Sequence, residues 1–128
     1  MLAIAAAKLL RRPVVAGDID RVAVATARGN ARINRVAPAI HVIQAAGARG
    51  RAIAAQAPYD LIFANILLGP LVRLAVPIRA LTAPRARIVL SGLLPSHANA
   101  ALAAYRAQSL MLEQRIVRDG WVTLVLRR

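Results

Sequence analysis

Val14-Val-Ala-Gly-Asp-Ile-Asp20 decides the reading of this chain. Val14 to Ala16 has the compact apolar character of a buried strand, and Gly17 to Asp20 closes it. Asp20 then stands where a helix needs a side-chain acceptor, so a helix is expected from about Arg21 to Arg35 with Asp20 as its N-cap. Upstream, Leu2 to Leu10 are helix formers ended by Pro13, and no capping residue precedes them. Downstream the alternation continues. Ile40 to Gln44 reads as a strand after Pro38, and a short alanine-rich helix between Gly50 and Pro58 follows. Leu61 to Ala64 is a fully apolar strand ending in Asn65-Ile-Leu-Leu-Gly-Pro70. Pro70 suits the first turn of the next helix, and Pro77 must kink or split that helix near Val76. Arg87 to Ser91 is another buried strand, and Ser96 is a candidate cap for a helix from about His97 to Gln108. The pattern then changes: Leu110 to Arg118 and Trp121 to Leu126 are strand-like runs joined by Asp119-Gly120, a strong hairpin signal.

Regular βα alternation implies a parallel sheet wrapped by helices, here finished by an antiparallel strand. The 128 residues suffice for one compact domain, and no internal repeat or low-complexity linker divides them, so a single domain over 1–128 is expected. Hydrophobic residues make up 59%, inflated by 29 alanines, so a thin, helix-rich core is expected. On the second helix, Val22, Thr26, Gly29 and Ile33 share one side and Arg21, Arg28, Arg32 and Arg35 another. Gly29 inside that helix points to close packing or to simple drift.

Composition removes several chemistries. With no cysteine there is no disulfide framework, thiolate nucleophile or cysteine-ligated metal. Two separated histidines, His41 and His97, and five acids leave little for a metal site, and none is expected. His41 reads as an exposed strand residue and His97 as a helix-start surface residue. Ser91 lacks the Gly-x-Ser-x-Gly surroundings of a hydrolase nucleophile. No segment reaches the ~20 apolar residues of a membrane span, and the first residues lack the charge order of an export signal, so a cytoplasmic location is expected. Eighteen basic residues, 17 of them arginine, give a net charge of +13. Such a charge predicts attraction to polyanions, although a compositional bias toward arginine and alanine would produce it too.

In an open α/β sheet, ligands gather beyond the carboxyl ends of the strands. Asp18 ends one strand, where a carboxylate can accept both hydroxyls of a ribose; the competing reading is that it helps cap the helix. Asn65 ends another. Its oxygen can accept from an amine and its nitrogen can donate to a carboxylate, but it cannot act as a base, and asparagine is also a common turn residue. Trp121 opens the last strand and is expected to pack in the sheet, with the border of a substrate channel as the other option.

Taken together these residues resemble the class I methyltransferases that use S-adenosylmethionine, and within them the ribosomal large-subunit protein 11 methyltransferases (PrmA family). The likeness is carried by Leu2-Ala-Ile-Ala-Ala-Ala-Lys8, Gly17-Asp-Ile-Asp20, Asn30-Ala-Arg-Ile-Asn34, Tyr59-Asp60 and Ala64-Asn-Ile-Leu-Leu-Gly-Pro-Leu71. Ile88-Val-Leu-Ser-Gly-Leu93 and Gly120-Trp-Val-Thr-Leu-Val125 extend it over the whole chain. The resemblance implies a Rossmann-like α/β sheet with helices on both faces and a closing antiparallel hairpin. It implies methyl transfer from S-adenosylmethionine to lysine side chains and the N-terminal amine of a ribosomal protein. Asp18 would take the ribose hydroxyls, and Asn65 would lie against the methionine end of the cofactor and the incoming amine.

The family's first strand and glycine-rich loop belong immediately before Leu2, and its recognition domain before that. A truncated catalytic domain is therefore expected, with two half-sheets lacking their shared neighbour and weak or absent cofactor binding. The alternative is a non-catalytic basic module that binds RNA or the ribosome through Arg21, Arg28, Arg32 and Arg35.

Overall fold

The computed structural model describes all residues, 1–128, as two compact units, Met1–Ala55 and Gln56–Arg128. In the first unit, α1 (Leu2–Leu10) begins at Met1 without a side-chain cap and ends at Arg11 in the left-handed region (φ 51°), whose N–H donates to Ala7 O. Strands β1 (Val14–Asp18) and β2 (Ile40–Gln44) pair in parallel from Val14↔Ile40 to Asp18↔Gln44. A parallel pair needs a crossover, supplied by α2 (Arg21–Ile33) and a short 3-10 turn at Ala37–Ala39. A second 3-10 turn (Gly47–Arg49) leads into α3 (Arg51–Ala54). A Cβ on Gly17 would sit 2.7 Å from Ile53 Cδ1, the mobile tip of a side chain that would have to turn aside.

The side of α2 that packs is not the one shared by Val22, Thr26, Gly29 and Ile33. Val24 and Ala31 are buried with Ala7, Ile40 and Val42, and Ala27 packs beside them, whereas Val22 and Ile33 are 71% and 79% exposed. Both stripes have helical spacing, and the smaller side chains let the helix approach the strands closely. Nothing lies within 4 Å of a Cβ built on Gly29, so close packing does not explain that glycine. The helix also ends earlier than expected: Asn34 caps it, donating from Nδ2 to Asn30 O at 2.9 Å, and Arg35 lies at φ 58°.

In the second unit the strand order is β3-β4-β6-β5, formed by β3 (Tyr59–Asn65), β4 (Thr82–Leu93), β5 (Met111–Arg118) and β6 (Trp121–Arg127). The β3–β4 pairing is parallel; β4–β6 and β5–β6 are antiparallel. Asp119 (φ 49°) and Gly120 (φ 79°) make the turn, and positive φ at both central residues is what a type I′ hairpin requires. Pro77 splits the helix as expected, giving α4 (Leu68–Arg73) and α5 (Ala75–Leu81), because its ring excludes the carbonyl four residues earlier.

The next helix, α6 (Pro95–Arg106), is capped by Leu94 and not by Ser96. Pro95 takes the first helical position, and the residue before a proline is held extended, as Leu94 is (φ −73°, ψ 154°). Leu71, Ile88, Leu90, Leu93, Leu110, Leu124 and Leu126 are sealed from solvent, together with Tyr105, whose hydroxyl donates to Leu71 O at 3.2 Å. Burial raises the Tyr105 pKa well above its ordinary value. Thr82, also buried, donates to Ile78 O at 2.6 Å, and Arg128 Nη1 bonds Thr82 O. No helix is long and apolar enough to cross a membrane.

Candidate active site

The two residues singled out from the sequence each close a parallel strand, one in each unit. Asp18 is exposed at the end of β1, where its Oδ1 accepts the Asp20 N–H at 3.0 Å. Asp20 Oδ1 in turn accepts the Val22 N–H at 2.8 Å, so Asp20 is the helix cap that its position predicted. The backbone around them is pinned to the end of β2. Asp18 O accepts from Ala45 N–H at 2.8 Å, and Gln44 Nε2 donates to Ile19 O at 3.3 Å. The turn therefore fixes the exposed Asp18 carboxylate through one of its oxygens. A vicinal diol needs such an acceptor, held in place before the ligand arrives.

Asn65 is the last residue of β3 and registers with Ser91 on β4. Beside it β4 is irregular: Leu90 pairs with Leu124 and Leu93 with Val122, so β4 carries one extra residue against β6. This is a bulge, and it holds Gly92 at φ +74°. A Cβ on Gly92 would lie 2.2 Å from Asn65 Oδ1, closer than any side chain can come. Glycine thus serves twice, for its backbone angle and for the space that the Asn65 carboxamide occupies.

Asn65, Ile66, Leu67, Gly92 and Trp121 line an open groove of about 530 Å³. Leu67 is 80% exposed, and Trp121, expected to pack in the sheet, is 54% exposed and walls the groove instead. Position explains the difference, because Trp121 starts β6 directly after the turn and precedes its first fully buried residue, Val122. Chemically the groove offers one carboxamide between apolar walls and no group able to act as a strong base. The parts missed from the sequence are Gly92 and the orientation of Trp121. A lone glycine inside an apolar strand was the available signal for the bulge. His41 is exposed on β2, as expected; His97 is half-buried at the start of α6, and neither lines this groove.

The family model described as ribosomal protein L11 methyltransferase (PrmA) matches residues 1–128. Proteins named ribosomal protein L11 methyltransferase from Rhodopseudomonas palustris and Bradyrhizobium diazoefficiens are 47% and 46% identical over all 128 residues. The chain spans 43% of the length of each. Among solved structures, a ribosomal protein L11 methylase from Lactobacillus delbrueckii subsp. bulgaricus superposes with a TM-score of 0.88 at 25% identity, covering 99% of this chain and 63% of that one. An RNA methyltransferase from Salinibacter ruber, solved with S-adenosyl-L-homocysteine, shares the fold with a TM-score of 0.73 at 16% identity, covering 98% of this chain and 72% of that one. A strand-end acid, a strand-end asparagine and a family match running the full length of the chain agree: it has the Rossmann-like fold of class I methyltransferases and belongs to the ribosomal protein L11 methyltransferase (PrmA) family.

Proposed function

We propose that these residues form part of the catalytic domain of an S-adenosylmethionine-dependent methyltransferase acting on amines of ribosomal protein L11, lysine side chains and the N-terminal amine. The observation that carries this reading is the Asn65 carboxamide lodged against Gly92 in a groove walled by Ile66, Leu67 and Trp121. The donor set fits the cofactor. Asp18 supplies a fixed acceptor for ribose hydroxyls, and Asn65 offers both a donor and an acceptor to an amino-acid portion and an incoming amine.

When bound, S-adenosylmethionine supplies a methyl group on a positively charged sulfur. The remaining work falls to the chain. Asn65 Oδ1 accepts an N–H of the incoming amine and aims its lone pair, while the apolar groove walls favour the neutral amine over the ammonium. A lysine amine has an ordinary pKa near ~10.4, so its proton must leave to solvent before attack.

Methyl transfer to ribosomal protein L11 tests this in a chimera whose segments outside the matched 128 residues come from the Rhodopseudomonas palustris relative. Asp18→Ala and Asn65→Ala are expected to lower transfer by about a hundredfold or more, the scale of a lost positioning contact. Undiminished transfer in both variants would overturn the assignment. We further propose that the 128-residue chain alone binds the cofactor weakly, since β1 pairs only with β2 and β3 only with β4. Calorimetry that returned micromolar binding to this chain would contradict it.

A further inference from the structure

We propose that a groove between α2 and β2, lined by Arg28, Arg32 and His41, binds the phosphodiester backbone of a nucleic-acid strand, independently of methyl transfer. The groove has a volume of about 400 Å³, and Ala31, Ala37 and Pro38 contribute to its lining. Arg28 is oriented within it: although its side chain is exposed, its Nη2 donates to Val42 O at 2.9 Å, which holds the guanidinium against the strand. A guanidinium has five N–H donors, and that bond uses one of them. Arg32 stands one helical turn away, about 6 Å along the axis, and Arg21 lies about 10 Å from Arg28 on the other side. His41 projects from the neighbouring strand and is exposed. Its imidazole can donate an N–H in either charge state.

One feature favours a linear polyanion over a single small anion, and two more suit contact through its phosphates. The cations form a row along one helix face. From Arg21 to Pro58 the chain contains six arginines and no aspartate or glutamate, so no carboxylate of this stretch competes with a bound phosphate. Residues 1–55 also contain no phenylalanine, tyrosine or tryptophan, so no side chain offers a base a stacking surface and contact falls to the backbone.

Fluorescence anisotropy on the full chain, with a labelled uridine 12-mer and a deoxyuridine 12-mer at 50 to 200 mM KCl, tests the proposal. Both strands are expected to bind within about twofold of each other, as a backbone site requires. Arg32→Gln should weaken binding about tenfold, the scale of one charge-assisted contact, and should reduce the salt slope by about 0.7. His41→Asn should weaken binding and leave that slope nearly unchanged, and Arg106→Gln, a charge-matched change on α6, should have little effect. Because Arg28→Gln also removes a partner from Val42 O, its result counts only alongside circular dichroism showing an intact fold. Equal losses for Arg32→Gln and Arg106→Gln would reduce the effect to diffuse net charge and overturn the site. Unchanged affinity in Arg32→Gln and His41→Asn, or a tenfold preference for one sugar, would overturn it as well.

Discussion

In Met1–Ala55 the least exposed side chains are small: Ala31 at 2%, Val24 at 4% and Ala7 at 5%. In Gln56–Arg128, Leu71, Ile88, Leu90, Tyr105, Leu124 and Leu126 are all at 0%. The first unit folds one pair of strands under alanine-rich helices; the second spreads four strands and buries large aliphatic groups among them. Hydrophobic stabilisation grows with apolar area removed from water, so the two halves of one chain differ in how firmly they hold the strand-end residue proposed to act in each. Asn65 stands on the firm scaffold. Asp18 stands on a lean one, where a two-stranded sheet has little stability of its own.

The largest effect should come from the core of the second unit. Leu124→Ala is expected to cost about 2–5 kcal/mol, whereas Val24→Ala should cost roughly 1.5 kcal/mol for two lost methyl carbons. Urea denaturation measures both. Hydrogen exchange should show amides of β4 and β6 protected more strongly than those of β1 and β2, and equal protection would erase the contrast.

Next in size is Gly92→Ala. It places a side chain at positive φ and on top of Asn65 Oδ1, so a loss of about 1–3 kcal/mol is expected, with a displaced carboxamide visible in a crystal structure of the variant. An unmoved Asn65 would mean that the bulge is more yielding than its geometry indicates.

Tyr105→Phe should cost about 1 kcal/mol at neutral pH through the lost bond to Leu71 O. The sign of its pH dependence follows from burial. The folded pKa lies above the unfolded value of 10.0, so the unfolded chain releases this proton first. Stability linked to Tyr105 is therefore whole below pH 10 and declines above it; the phenylalanine variant should lose that part of the alkaline decline. The smallest effect has the opposite direction. Gly29→Ala, in open space on α2, should stabilise the lean unit by roughly 0.5–1 kcal/mol, read as a rise in melting temperature.

What could be read from the sequence followed residues whose backbone chemistry leaves little choice. Asp119-Gly120 fits few turns other than the one it makes, Asp20 could hardly be anything but a cap, and Pro77 had to interrupt its helix. The face of α2 was illegible because its packed side is mostly alanine, Ala27 and Ala31 beside Val24, while the larger Val22 and Ile33 lie on the exposed side, so side-chain size runs against burial. Ser96 misled because a proline one residue earlier already fixed the helix start. Strand β4 runs from Thr82 to Leu93, well beyond the expected Arg87 to Ser91, but its continuous pairing with β3 and β6 starts at Arg87; before that only Thr82 pairs with β3, across an irregular stretch holding Pro84 and Arg85 at φ 62°. Asp18 and Asn65 were visible as strand-end polar residues. The cavity under the Asn65 carboxamide depends on a bulge between strands distant in sequence, which local pattern does not encode.

The placement of β6 between β4 and β5 has a consequence for synthesis. A ribosome delivers β5 before the strand it pairs with, so while β6 is still inside the exit tunnel β5 has no partner and one edge of β4 stands open with Ile88, Leu90 and Leu93 beside it. The newborn sheet must wait for its penultimate member by position to arrive last in time, and until then it offers nascent neighbours an adhesive border.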